Sequence, residues 1–301
     1  MTAAEPPVST TTGERPGPMT AGELPVRSPK GAPPLHLTAG APPVLQARGL
    51  ALRYPAAPAP VFEAVDLDLA RGEVVAVLGA SGAGKSSLLR VLAGLQGATA
   101  GSLLMEGAPL TGVHPRVAVA FQDPSLLPWL SLERNVAFGL DFKHQPALTD
   151  AQRRARVDQA IDEVGLSHAR HLRPAQLSGG MAQRTALARC LARQPSVLLL
   201  DEPFGALDEV TRGDMQLLLR KVVADFQTAA VLITHDIDEA LVLADRIVLL
   251  GGAPGRILGT WQVDLPQPRA DLLPEMGALR LEILTRLRSA LRAGHVASVP
   301  A

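Results

Sequence analysis

Gly79-Ala80-Ser81-Gly82-Ala83-Gly84-Lys85-Ser86 is the stretch that decides the fold of this 301-residue chain. It satisfies G-x-x-x-x-G-K-[ST] at every fixed position. The apolar run Val74-Val75-Ala76-Val77-Leu78 precedes it, and Leu88-Leu89-Arg90-Val91-Leu92 follows with a helical pattern. Strand, glycine loop and helix in that order make a cradle for phosphate. Glycine lets the backbone turn so that successive N–H groups face inward, and the helix N-terminus adds partial positive charge. Lys85 can reach the β- and γ-phosphates of a nucleoside triphosphate, and Ser86 can offer its hydroxyl to Mg²⁺. Residues Gly79 to Ser86, with Ser87 beside them, are the expected nucleotide cradle.

Outward from this loop the chain alternates strand and helix. Val44–Tyr54 and Val61–Leu69 read as strands, the second alternating Val61, Phe62, Val65, Leu67 and Leu69 with Glu63, Asp66 and Asp68. Pro115–Gln122 reads as another apolar strand, and Leu130–Arg173 as mostly helical. Val197–Leu200 and Val231–Thr234 are short apolar runs, the mark of parallel strands covered on both faces. The fold class is α/β with a helical insertion. Residues 1–43 belong to a proline-rich stretch with few large apolar side chains; ten of the 26 prolines fall before Val44. Such composition predicts a disordered leader. Near the other end, Met276, Leu279, Ile283, Leu287 and Leu291 recur at helical spacing, a core-facing stripe, and Arg280, Arg286, Arg288 and Arg292 are read as its solvated face.

Composition excludes several classes. Lys plus Arg and Asp plus Glu are both 29, so no global basic field favours nucleic acid. The single cysteine, Cys190, forbids an intrachain disulfide and reads as a small buried hydrophobe. No secretory signal and no uncharged apolar run of about 18 residues is present, so a cytoplasmic chain is expected, with any membrane spans supplied by partners.

Val197-Leu198-Leu199-Leu200-Asp201-Glu202 is an apolar strand ending in two acids. After a phosphate loop, Asp201 is placed to hold Mg²⁺, and Glu202 to polarise a water for in-line attack on the γ-phosphate. Leu177-Ser178-Gly179-Gly180-Met181 opens a further helix. It reads either as a plain N-cap or as a second anion cradle. Two copies arranged head to tail would explain a second cradle, each loop completing the other's site.

These motifs together resemble the ATP-binding-cassette (ABC) transporter ATPases over residues 44–265. The resemblance implies a P-loop NTPase of ABC type: a mainly parallel core sheet, an antiparallel β subdomain, a helical subdomain inserted at about 123–185, and a helical tail over 266–301. It implies that Tyr54 stacks on adenine, that Gly79–Ser86 is the Walker A loop, and that Gln122 is the Q-loop glutamine sensing γ-phosphate and Mg²⁺. It implies further that Ser178, Gly179 and Gly180 form the signature loop, Asp201 and Glu202 the Walker B pair, Asp208 the D-loop aspartate, and His235 the switch histidine. The catalytic set is then Glu202, His235 and Gln122, and the metal set Ser86, Gln122 and Asp201. ATP and Mg²⁺ are the implied cofactors. Two copies would close on two ATP molecules and drive alternating access in two integral membrane permease subunits, from the cytoplasmic face of the inner membrane, with a periplasmic substrate-binding protein completing the complex.

Phe121-Gln122-Asp123-Pro124-Ser125-Leu126-Leu127-Pro128-Trp129 and Leu265-Pro266-Gln267-Pro268-Arg269 are similar to the branch importing aliphatic sulfonates, taurine and nitrate, closest to the sulfonate importers. Trp129 reads either as core or, in that family, as an anchor for the membrane subunit's coupling helix. The rivals are a non-transport ABC-type ATPase, a small-molecule phosphotransferase and a non-hydrolysing adaptor. The first usually carries two cassettes or a long coiled coil, the second needs no second glycine loop, and Glu202 and His235 argue against the third.

Overall fold

In the computed structural model, residues 42–296 are described, besides Met1. The leader expected over residues 1–43 therefore lies, apart from Met1, Pro42 and Pro43, outside the described residues, as do residues 297–301 of the tail.

Strands β1 (Leu45–Leu52) and β2 (Phe62–Leu69) pair antiparallel. β3 (Val74–Leu78) leads into the glycine loop and helix α1 (Lys85–Leu92). β4 (Ala100–Met105) and the two-residue β5 (Ala108–Pro109) complete a four-stranded antiparallel sheet of order β2-β1-β4-β5. β6 (Val117–Ala120) is followed by α2 (Leu132–Ala137), α3 (Asp150–Glu163) and α4 (Gly179–Leu191), which pack on one another. The helical expectation for 130–173 is thus met by α2 and α3, with non-helical chain between them. Then come β7 (Val197–Asp201), α5 (Glu209–Phe226), β8 (Ala229–Ile233), α6 (Ile237–Leu243), β9 (Arg246–Gly251), β10 (Arg256–Gln262) and α7 (Gly277–Val296).

The second sheet runs β10-β9-β3-β8-β7-β6, with every pairing parallel except β10 against β9. Its apolar runs explain its burial. Alternate residues point to opposite faces. Ala76, Leu78, Leu198, Leu200, Ala230 and Leu232 face the core shared with α2 to α6. Val75, Val77, Leu199, Val231 and Ile233 face the core shared with β1, β2 and α1. Each fully buried Leu or Val contributes about 1.5–3 kcal/mol, so a continuous apolar strand is stable only with both faces covered.

Cys190 is buried, and burial pushes its thiol up to about 11, as a small hydrophobe requires. The α7 stripe holds at Met276 and Ile283, with Leu279 and Leu287 half-buried against the same core. Leu291 departs from it at 42% exposed. The sheet-facing position at that level is Ala290, whose Cβ lies 3.4 Å from where a Cβ on Gly251 would stand. A 3.6-residue period drifts off any stripe built only from steps of four.

Candidate active site at the carboxyl edge of the central sheet

Parallel strands place their carboxyl ends side by side, and ligands bind beyond such an edge. Register makes this concrete. Val77 pairs with Ile233, Ile233 with Asp201, and Ala120 with Leu200. The residues just past these rows are the glycine loop after β3, Gln122 after β6, Asp201 and Glu202 at the end of β7, and His235 after β8.

The loop is shaped by glycines where other residues would fail. Gly82 and Gly84 have φ of 82° and 92°. A Cβ on Gly79 would run into the Leu250 carbonyl. The Lys85 ammonium donates to the carbonyls of Gly79 at 2.8 Å and Ala80 at 3.1 Å. Lys85 is buried, which lowers its pKa through desolvation, opposed by the nearby charges of Glu202 and Asp201. The start of α1 differs from its neighbours. Helices α2 to α6 each carry a side-chain cap, from Ser131, Thr149, Ser178, Asp208 and Asp236. Helix α1 begins at Gly84 with no side-chain cap and no acid in its first turn. An anion seated in the loop would meet its free N–H groups and its dipole. The residues therefore fit a nucleotide phosphate.

They fit Mg²⁺ as well. The Ser86 hydroxyl donates to Asp201 Oδ1 at 3.3 Å, which gives a pair of hard oxygen donors beside the loop. Burial raises the Asp201 pKa, with the Ser86 hydrogen bond opposing. Ser87 lies next to them, its Oγ 3.5 Å from the Tyr54 hydroxyl, so Tyr54 stands at the flank of the loop. Gln122 is exposed, with its amide 3.5 Å from a Cβ placed on Gly205.

Glu202 sits at φ 46°, a left-handed conformation costing a non-glycine residue about 1 kcal/mol or more. Its N–H donates to the Ile233 carbonyl at 2.9 Å, so the chain turns sharply after Asp201. Its carboxylate lies 3.3 Å from His235 Nδ1. His235 is two-thirds exposed, not a core histidine. A carboxylate and an imidazole in contact beside a phosphate cradle can orient a water and stabilise charge on a transferring phosphoryl group.

Ser178, Gly179, Gly180 and Asp208 lie elsewhere. Among the described residues no hydrogen bond or ion pair joins them to Gly79–Ser87. Ser178 is a true N-cap, its hydroxyl accepting the Met181 N–H at 3.2 Å. Asp208 caps α5, accepting from the Thr211 N–H at 3.0 Å and hydroxyl at 2.7 Å, and these bonds lower its pKa. The two segments meet where a Cβ on Gly180 would fall 2.5 Å from Thr211 Cγ2. The Gln183 amide also donates to the Pro203 carbonyl at 2.8 Å.

Sequence reasoning missed two positioning residues and one buried acid. Asn135 is fully buried, and its amide binds Leu127 N–H and the carbonyls of Leu127, Leu130 and Ser131. Arg189 donates to the carbonyls of Ser125 and Pro124. Together they hold the loop after Gln122 so that Trp129 stands 68% exposed, which removes the core reading of that side chain. The buried acid is Glu239, on the first turn of α6. A polar residue on an otherwise apolar helix face was the available signal for Asn135. Nothing local marked the other two.

Residues 62–205 match the family model described as ABC transporter. An aliphatic sulfonates import ATP-binding protein of Xanthomonas axonopodis pv. citri is 47% identical over 236 residues, 78% of this chain and 92% of that protein. A nitrate transport protein of Klebsiella oxytoca is 40% identical, over 75% of this chain and 87% of its own. A bicarbonate transport ATP-binding protein of Synechocystis is 45% identical over 73% of this chain, which spans only 34% of that protein's length. The dimeric post-hydrolysis structure of the ATP-binding cassette MJ0796 bound to ADP and Pi superposes with a TM-score of 0.63 at 28% identity, over 74% of this chain and all of that one. With the phosphate cradle, the paired acids and the exposed histidine gathered at one sheet edge, and a relative this similar over nearly its whole length, the chain belongs to the ABC transporter family and carries its ATPase domain.

Proposed function

We propose that this chain is the ATP-hydrolysing subunit of a membrane importer for aliphatic sulfonates. The observation that carries nucleotide binding is the uncapped start of α1 with the Lys85 ammonium folded into the same loop. The importer reading and the sulfonate cargo are supported by the 47% identical sulfonate relative; the nitrate and bicarbonate relatives support the alternative, the same role for nitrate or another small anion such as taurine.

In this reading Ser86, Asp201 and Gln122 would hold Mg²⁺, which would supply charge neutralisation at the phosphates; the protein supplies the rest. Lys85 and the loop N–H groups bind the phosphates, Tyr54 supports the base, Glu202 orients the water, and His235 contacts the γ-phosphate. Ser178, Gly179, Gly180 and Asp208, unbonded to the cradle of their own copy, complete the site of a second copy. The dimer docks on two integral membrane permease subunits at the cytoplasmic face of the inner membrane, with a periplasmic substrate-binding protein delivering cargo. Among the described residues no helix is long and apolar enough to cross a membrane.

The test is growth of a deletion strain on alkanesulfonates, taurine, sulfate or nitrate as sole sulfur or nitrogen source, with rescue by the parent gene and by Glu202→Gln. Loss of growth on alkanesulfonates alone, rescued only by the parent gene, is the expected result. Loss on taurine or nitrate instead would replace the cargo. Rescue by Glu202→Gln would overturn the hydrolytic role of that carboxylate.

A further inference from the structure

Gln183 is 5% exposed and lies on α4, five residues past the Ser178 cap. It shares the lining of a small recess with the apolar Leu187, Leu200, Phe204 and Met215, and with Pro203, the buried residue that follows Glu202. A buried amide is costly unless it is bonded. Gln183 Nε2 donates to the Pro203 carbonyl at 2.8 Å. Among the described residues no backbone N–H donates to that carbonyl. The bond therefore joins the helix capped by Ser178 to the turn that carries Glu202.

We propose that Gln183 is a positioning residue for Glu202, holding the turn Glu202–Gly205 through the Pro203 carbonyl so that the Glu202 carboxylate stays against His235. This rests on the ATPase reading above and extends it to a side chain on α4. Glu202 is a residue in need of such support. Its φ of 46° is left-handed, and the ring of Pro203 crowds the residue ahead of it. Such a conformation persists only where its surroundings over-determine it. Before the turn, the Glu202 N–H is held by the Ile233 carbonyl at 2.9 Å. Within the turn, the Gly205 N–H reaches the Glu202 carbonyl at a long 3.3 Å. Beyond Glu202, the shorter bond from Gln183 fixes the turn to α4.

In an apolar recess an amide–carbonyl bond is strong, and its loss is not made good by water. With the donor removed, the Pro203 carbonyl regains a partner only by swinging toward solvent. That movement relaxes the left-handed residue before it and carries the carboxylate away from His235 Nδ1, which stands 3.3 Å from it in the intact site. A purely structural amide would cost stability alone. A positioning amide costs turnover as well, because misplacing a catalytic group by about 1 Å slows a reaction by up to about 10²-fold.

The experiment measures ATP binding, MgATP hydrolysis and thermal unfolding of the full chain for the parent, Gln183→Met, Gln183→Asn, Leu187→Val, Glu202→Gln and Gln183→Met/Glu202→Gln. Methionine matches glutamine in size without the donor, and asparagine keeps the amide one methylene short of the carbonyl. Leu187→Val loosens the same recess and leaves the bond intact. Expected for both Gln183 variants are ATP affinity and KM within about twofold of the parent, with kcat reduced about tenfold. Leu187→Val and Gln183→Met should both lower the melting temperature by about 2–6 °C, while Leu187→Val keeps kcat within about twofold of the parent. In single-turnover reactions long enough to resolve the residual rate of Glu202→Gln, adding Gln183→Met should change that rate by no more than about twofold. Parent kcat in both Gln183 variants, an equal kcat loss in Leu187→Val, or a further loss of about tenfold on top of Glu202→Gln overturns the positioning role and leaves the ATPase reading intact. A parent protein that binds no ATP overturns that reading itself, and this inference with it.

Discussion

Gly180→Ala tests whether the start of α4 is held by packing against α5 within one chain. The added Cβ would stand 2.5 Å from Thr211 Cγ2, where ordinary van der Waals contact is about 3.5–4 Å. Roughly 1 Å of displacement is therefore demanded. Thr211 cannot swing its methyl aside freely, because its hydroxyl is fixed to Asp208 at 2.7 Å and its N–H to the same carboxylate at 3.0 Å. Either the α5 cap breaks, at about 0.5–2 kcal/mol, or the α4 start moves away, an overpacking strain of about 1–3 kcal/mol. The expected loss is about 1–3 kcal/mol, or about 2–4 °C of melting temperature per kcal/mol for a domain of this size. Thermal unfolding of the nucleotide-free chain is the assay, since it isolates the intrachain clash from any effect on a second copy's nucleotide. The decisive control is Gly180→Ala/Thr211→Ser, which keeps the capping hydroxyl and deletes the methyl. It should recover most of the lost stability. A Gly180→Ala protein as stable as the parent, or a double variant no better than the single, would refute the packing argument.

Two further outcomes follow from other parts of the molecule. Glu239 has a folded pKa of about 7 against an ordinary 4.5, so the native state holds its proton more tightly than the unfolded chain. The associated stability is full below about pH 4.5 and is lost as pH rises through 7, up to about 3 kcal/mol. Urea unfolding of the parent and Glu239→Gln at pH 4.5 and 8 should show the parent losing more stability on going to pH 8; equal losses would contradict the burial argument. Trp129→Ala removes an exposed indole from a loop braced by Asn135 and Arg189, so melting should change by no more than about 0.5 kcal/mol while co-purification with the permease subunits falls. Undiminished co-purification would count against an interface role.

How much was legible in the chain depended on whether the determinant was local. The cradle was readable because a Gly-rich turn, a cation and a hydroxyl within eight residues carry their own geometry. The parallel strands were readable because burial on both faces forces an uninterrupted apolar run, and the site residues lie one or two positions past the ends of those runs. The α7 stripe was readable except at Leu291, where steps of four outran the true helical period. Trp129 stood between core and surface in the sequence, because a tryptophan among leucines and prolines has the composition of either. Its exposure follows from Asn135 and Arg189 spending their donors on the loop beneath it.

The sequence by itself determined the chemistry: a phosphate cradle, two acids at a strand end and a histidine past the next strand, each specified by residues within a few positions of one another. Tertiary structure alone decided which of these meet. Sheet register set Asp201, Ile233 and Val77 in one row and so brought Glu202 to 3.3 Å from His235. Close packing made Gly180 depend on a methyl group of α5, and it buried Glu239 on the first turn of α6. Such contacts join segments distant along the chain, and their strength depends on burial and on approaches of a few tenths of an ångström. Local residue pattern sets neither, because both arise only when the sheet and its covering helices have closed on one another.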